Sequence, residues 1–282
     1  MNQVLIGIDG DALSDERMVM ILKIAAVTNT GMYRKRNEDS FLVYPNVVAM
    51  ESMNEPMYWQ IDTVPVLLAV ADGVGGSVAG DVASREVLAV LAELPCPDGE
   101  EALIERIHRA QIHLDQLVLQ NMQLEGLGTT LAGVLFIRGM LIVFSCGDSR
   151  VYIHNPCDTM GSGGMLRCLT RDHSMVQELI EEGQLTEKEA RSHPLGHIIT
   201  SCLSGGRQRH SFDIRVSHHP LYDGMRVVIC TDGVWDYGGE EFVAAACFGD
   251  PVIATRRVLR VCYDAGAPDN ITLIIADLHV DG

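Results

Sequence analysis

Four acidic sites lie at the ends of apolar, strand-like runs, each beside a turn-forming residue. They are Asn37-Glu38-Asp39, Ala71-Asp72-Gly73, Thr231-Asp232-Gly233 and Asp269-Asn270. Strand ends from two packed sheets can bring such carboxylates into one cleft while each keeps a rigid support. Gathered there they repel one another, and they ionise together only with cations among them. A ligand set made of oxygens favours Mg2+ or Mn2+ over zinc. Arg34, five residues before Asp39, adds forked donors that match a phosphate. The run AVADGVGGSVAGD at 69–81 places four glycines within eight residues, which suits a backbone that comes close to a ligand. Each Asp-Gly pair also reads as a plain turn and Arg34 as a plain surface arginine, so spacing alone leaves both readings open.

Composition narrows the partners. Lys+Arg 21 against Asp+Glu 38 gives a net charge of −17, which repels nucleic acid and suits a protein that collects divalent cations. The apolar run VPVLLAVA at 64–71 is far shorter than the roughly 20 residues of a membrane span. The start MNQVLIGIDGDALSDER carries acidic residues and no basic opening, a poor secretory signal, so the expected location is the cytoplasm. With 282 residues and 47% hydrophobic content, one domain with a large core is expected.

Eight cysteines, at 96, 146, 157, 168, 202, 230, 247 and 262, form no CxxC pair and no zinc-like cluster. SCLSGGR at 201–207 superficially resembles the loop of cysteine-dependent phosphatases. That loop needs His-Cys and five residues before Arg, whereas Ser201 precedes Cys202 and four residues separate it from Arg207. Cys202 is therefore expected to be a buried residue before a turn and no nucleophile.

The elements that must position these groups follow from apolar patterning. Strands are expected at 22–28, 40–45, 65–71, 130–137, 140–146, 149–154, 212–217, 225–231 and 271–278, many joined by hairpin-type turns. Helices are expected at 78–94, with Val82, Val87, Val90, Leu91 and Leu94 on one face, at 100–124, and at 251–266. That order suits antiparallel sheets covered by helices. Residues 171–206 mix short helical stretches with Gly183, Pro194, Gly196, Gly205 and Gly206 and read as an inserted flap.

The motifs RKRNEDS (34–40), VADGVGG (70–76), GTT (128–130), CGDSRVY (146–152), LTRDHS (169–174), ELIEEGQLTEKEARSHP (178–194), CTDGVWD (230–236) and PDNIT (268–272) occur in the order of the metal-dependent Ser/Thr protein phosphatases, the PPM family. The chain resembles the compact bacterial branch over about residues 22–278. The resemblance implies an α+β fold, a four-layer α-β-β-α sandwich of two antiparallel sheets, with a binuclear Mn2+ or Mg2+ centre where the sheets meet. Residues 1–21 would be an extension and 22–282 the phosphatase domain.

Carried over by position, Asp72 resembles the carboxylate that bridges both metals and the Gly73 carbonyl a ligand of the second, which Glu38 serves through water. Asp232 and Asp269 match ligands of the first metal, Asp39 the neighbour that orients water, and Arg34 the phosphate-binding arginine. Asp148 resembles the residue that, with Asp232, holds a weaker third metal. The implied chemistry is direct attack of a metal-bridged hydroxide on phosphorus. The implied partners are phosphoserine and phosphothreonine proteins and the bacterial Ser/Thr kinase whose work is reversed.

Two departures stand out. Val74 occupies the place where some eukaryotic relatives carry a proton-donating histidine, and VVAMESMNEPMYWQIDT (47–63) lengthens an early connection, as decoration or as a regulator site. The alternatives are a non-catalytic phosphoprotein binder and a small-molecule phosphohydrolase.

Overall fold

The computed structural model describes residues 19–74, 79–155, 166–190, 193–207 and 212–281. Most of the expected extension 1–21, the loop residues Gly75 and Gly76, and Cys157 lie outside them. In chain order the strands are β1 (Val19–Asn29), β2 (Asp39–Val43), β3 (Asn46–Ala49), β4 (Met57–Ile61), β5 (Val66–Val74), β6 (Gly128–Thr129), β7 (Leu131–Ile137), β8 (Met140–Cys146), β9 (Arg150–His154), β10 (Arg167–Cys168), β11 (Leu203–Ser204), β12 (Arg215–Pro220), β13 (Arg226–Cys230) and β14 (Ile271–Asp281). The helices are α1 (Gly80–Leu91), α2 (Glu100–Gln120), α3 (Met175–Glu181), α4 (Glu187–Ala190), α5 (Asp232–Ala246) and α6 (Pro251–Asp264).

One sheet runs β10-β9-β13-β14-β1-β4; the other runs β11-β6-β5-β7-β8-β12, with β2 on β5 and β3 on β2. Side-chain alternation explains the layers. Along β5, Val66, Leu68 and Val70 pack between the sheets, where they meet Leu22, Ile24, Val227 and Ile274. Leu67, Ala69 and Ala71 point the other way, against Val87, Leu91, Leu103 and Ile107 of α1 and α2. Helices α5 and α6 cover the outer face of the first sheet, with Phe242, Val258 and Leu259 on Val228, Leu273 and Ile275. A strand buried on both faces is apolar at every position. The result is the expected α-β-β-α sandwich.

The expected strands recur with shifted ends. Strand β1 starts at Val19, inside the expected extension, because Val19–Ile21 pair with His279–Asp281. The strand expected at 212–217 lies at Arg215–Pro220. The stretch 47–63 carries most of β3 and the edge strand β4, whose Trp59 packs edge-on against Phe41 at 6.1 Å. Leu94 does not join the apolar face of α1; it lies beyond the helix end and is exposed.

The flap is smaller than 171–206. Asp172, His173 and Ser174 are buried at its start and Ser201, Cys202 and Leu203 at its end. Leu203 and Ser204 pair with β6, and the Gly205 N–H donates to the Leu127 carbonyl at 3.0 Å. Between these ends lie α3 and α4, and a backbone bridge joins Ser174 to Ile199. Gly205 is therefore no hinge: a Cβ there would stand 2.5 Å from the Leu114 carbonyl oxygen on α2. Replacing Gly205 by Ala is expected to cost about 1–3 kcal/mol by overpacking, read as a lower denaturant midpoint. Unchanged stability would return 201–205 to the flap.

Candidate active site

Asp39 and Asp72 sit directly opposite each other in the β2/β5 register, an arrangement that like charges disfavour. Neither Asp-Gly pair is a turn. Asp72 and Gly73 lie inside β5, and Gly73 pairs with Thr129 of β6. The Asp72 carbonyl accepts from the Thr130 N–H and the Thr129 hydroxyl, each at 2.8 Å, and its N–H donates to the Thr130 hydroxyl at 3.1 Å. Gly73 and Gly80 pack backbone to backbone: a Cβ on Gly73 would lie 2.4 Å from the Gly80 carbonyl. These glycines let α1 start against the end of β5.

Asp232 opens α5, and Gly233 beside it has no room for a side chain, since a Cβ would fall 1.9 Å from the Asn270 carbonyl oxygen. The hydroxyl of Thr231 donates to Asp39 Oδ2 at 2.8 Å, joining the ends of the two sheets. Asn270 gathers the other loops. Its amide donates to the carbonyls of Thr30 and Arg36 at 2.9 and 3.0 Å, and its oxygen accepts from the Glu38 N–H at 2.9 Å. Arg34 reaches Asp269 at 2.7 Å.

Asp148 enters from the β8–β9 turn. Gly147 holds φ of +110° beneath it, and its N–H donates to Nδ1 of buried His173 at 3.1 Å. The Asp148 carbonyl accepts from the Trp235 indole at 3.1 Å. Arg150 lies 3.4 Å above that indole ring and forms a bidentate pair with Asp172.

The structure thus brings Asp39, Asp72, Asp148, Asp232 and Asp269 into one electrostatic neighbourhood, with Glu38 and Arg34 at its rim. Loss of hydration and the surrounding carboxylates push Asp39 up to about 7 and Asp232 up to about 6. Asp72 and Asp148 stand well above the usual carboxylate range for the same two reasons, and burial raises Glu38. Asp39 Oδ1 and Asp148 Oδ1 are buried without a hydrogen-bond partner. Orphaned anionic oxygens among oxygen-only donors fit a hard divalent cation. Among the described residues no three His, Cys, Asp or Glu side chains already surround one point, and Asp269 is drawn aside onto Arg34.

A sequence profile of the family described as Protein phosphatase 2C matches residues 55–262. The chain belongs to this family. It is 31% identical over 267 residues to the serine/threonine protein phosphatase PstP of Mycobacterium tuberculosis, a match that takes in 93% of this chain and 46% of that protein. The chain thus spans about half the length of that relative. The serine/threonine phosphatase stp of Listeria monocytogenes is 27% identical, with 89% of this chain and 93% of that protein covered. A crystal structure of M. tuberculosis PstP superposes with a TM-score of 0.75 at 31% identity, covering 92% of this chain and 99% of that one. A structure of the PstP catalytic domain in complex with two manganese ions gives 0.73 at 29% identity, with 92% and 99% covered.

Within this protein phosphatase 2C fold several residues serve the site that motif reading left without a role. Thr129 and Thr130 were visible as GTT, Thr231 and Trp235 as CTDGVWD, and Asn270 as PDNIT, yet spacing gives no sign that they hold backbone. His173, Arg150 and Asp172 act from behind Asp148. Cys202 is 1% exposed, and burial pushes its thiol up to about 12, so it holds its proton and has no path to substrate.

Carboxyls with raised pKa keep their protons longer in the folded than in the unfolded chain. In the metal-free protein they therefore stabilise the fold in acid, and that contribution is lost as pH rises from about 4 toward about 7. Asp148→Asn is expected to raise the melting temperature of chelator-treated protein at pH 8 and to leave it nearly unchanged at pH 5. Scanning fluorimetry at both values checks it, and an equal gain at both would contradict the charge argument.

Proposed function

We propose that this chain is a Mn2+- or Mg2+-dependent phosphatase of phosphoserine and phosphothreonine proteins that reverses a bacterial Ser/Thr kinase in the cytoplasm. The observation that carries the reading is the set of buried, mutually repelling aspartates with two orphaned oxygens, beside an arginine, on a protein phosphatase 2C fold. Asp72, Asp232, Asp269, Glu38 and the Gly73 carbonyl would together hold two such ions, Asp72 serving both, Asp232 and Asp269 one, and Glu38 and the Gly73 carbonyl the other. Asp148 and Asp232 would hold a weaker third. No helix among the described residues is long and apolar enough to cross a membrane. The phosphatase domain is assigned to about residues 22–282, with β1 reaching back to Val19.

When bound, the ions supply coordinated water of lowered pKa and offset the charge of the phosphate. The protein's own groups do the rest. Thr231 occupies one oxygen of Asp39, which leaves the other to accept a hydrogen bond and orient a water. Arg34, half exposed at the rim, offers its forked N–H donors to phosphate oxygens, with Asp269 as its resting partner. The two glycine contacts and the Asn270 bonds hold these groups without rearrangement, which favours electrostatic stabilisation of the transferring group. The segment that carries α3 and α4 is assigned to substrate selection.

Hydrolysis of a phosphopeptide is expected to need Mn2+ or Mg2+ and to stop with a chelator. Asp232→Asn should lower kcat/KM by at least about three orders of magnitude, on the order of 4 kcal/mol in the barrier, while Cys202→Ser stays within a few-fold of the parent. Near-normal turnover by folded Asp232→Asn protein would refute the assignment.

A further inference from the structure

In a chain with net charge −17, Arg34-Lys35-Arg36 is a run of three consecutive cations. All three are exposed, on a loop whose backbone is fixed. The N–H of Met32 donates to the Ala267 carbonyl at 2.8 Å, Asn270 holds the carbonyls of Thr30 and Arg36, and the Asn37 amide holds Thr28 Oγ1 and the Glu51 carbonyl at 2.7 Å each. Gly31 lies so close under Asp269 that a Cβ would stand 2.2 Å from its carbonyl oxygen. The loop therefore presents its side chains at little further entropic cost.

The two arginines differ. Arg34 is paired with Asp269, whereas the Arg36 guanidinium forms no salt bridge among the described residues; it shares with Arg34 the field of Glu38. The Asn270 side chain that holds the Arg36 carbonyl also accepts from the Glu38 N–H, which fixes Arg36 next to Glu38 at the rim of the site. Residues two apart in an extended chain lie at most about 7 Å apart, which is also the spacing between a phosphorylated residue and a neighbour one or two positions away. An exposed, unpaired guanidinium on a rigid loop beside the phosphate position is suited to a second anion on the same peptide.

We propose that Arg36 is a specificity-determining residue that selects substrates carrying a second anionic group, a carboxylate or another phosphate, within two residues of the phosphorylated one. The inference rests on the phosphatase reading. A solvent-exposed pair of this kind is worth up to about fivefold in kcat/KM, more for a phosphate that accepts two N–H bonds.

The test compares three phosphopeptides of equal length, with glutamine, glutamate or phosphoserine next to the target phosphothreonine, on the full chain with Mn2+. The readout is the ratio of kcat/KM for each anionic peptide to that for the glutamine peptide. The ratio is expected to exceed about three, to shrink in about 1 M salt, where the screening length falls to about 3 Å, and to fall toward one in Arg36→Ser. Arg36→Lys should keep part of it, and Lys35→Ser most of it. A preference for phosphoserine alone would assign the site to a second phosphate, and a preference shared by glutamate to negative charge in general; both support the inference. Ratios near one in the active parent, or unchanged in Arg36→Ser, would overturn it and leave the phosphatase reading intact. No Mn2+-dependent hydrolysis of any peptide would overturn both.

Discussion

Mutual repulsion among buried carboxylates is the constraint around which this fold is arranged. Asp39 and Asp72 face each other across a strand pair, with Asp232 and Asp148 close by. Two unit charges about 4 Å apart at an effective dielectric near 20 interact by about 4 kcal/mol, against a net stability of about 5–15 kcal/mol for a whole domain. The fold tolerates this in two ways. The carboxyls hold protons well above their usual range, and the groups that carry them are embedded in three apolar cores, one between the sheets and one under each helical layer. A less extensive core would leave the cluster to unfold its own support.

Glycine placement follows from the same demand. Close backbone approach brings the elements that carry these groups together. Gly73 on Gly80 and Gly233 on Asn270 are those approaches, each too close for any Cβ. The recurrence of Asp-Gly in the sequence therefore has a packing cause: the aspartate supplies the charge, and the glycine beside it lets the next element close in. A turn would have needed neither a strand partner for Gly73 nor a helix beginning at Asp232.

The sandwich was legible because its strands are apolar on both faces and its helices α1, α2 and α6 are amphipathic. What escaped had weak patterning for identifiable reasons. Helix α5 is interrupted at Gly239, whose φ of +52° breaks the helical run, so that DGVWDYGG resembles a loop. Strands β3 and β4 are short, β3 is only partly buried and β4 mostly exposed, and β4 is an edge that buries little beyond Trp59. The aspartates of the site were readable as charges ending apolar runs. Their supports were not, because hydrogen bonds from Thr231 or His173 to partners far along the chain leave no local signature.

Asn270 shows how such a support works. Its side chain is donor and acceptor at once: the amide nitrogen bonds the carbonyls of Thr30 and Arg36, and the oxygen takes the Glu38 N–H. Its own carbonyl packs on Gly233, and its N–H donates to Asp269 Oδ1 at 2.8 Å. One residue thereby ties the arginine loop, the start of β2, the start of α5 and Asp269 together. An aspartate of the same shape cannot do this, since an ionised carboxylate has no proton for two carbonyls and would add a further charge to a crowded centre. The neutral amide is the one side chain of that size that meets all three bonds, so the geometry of the acidic site depends on a residue that carries no charge.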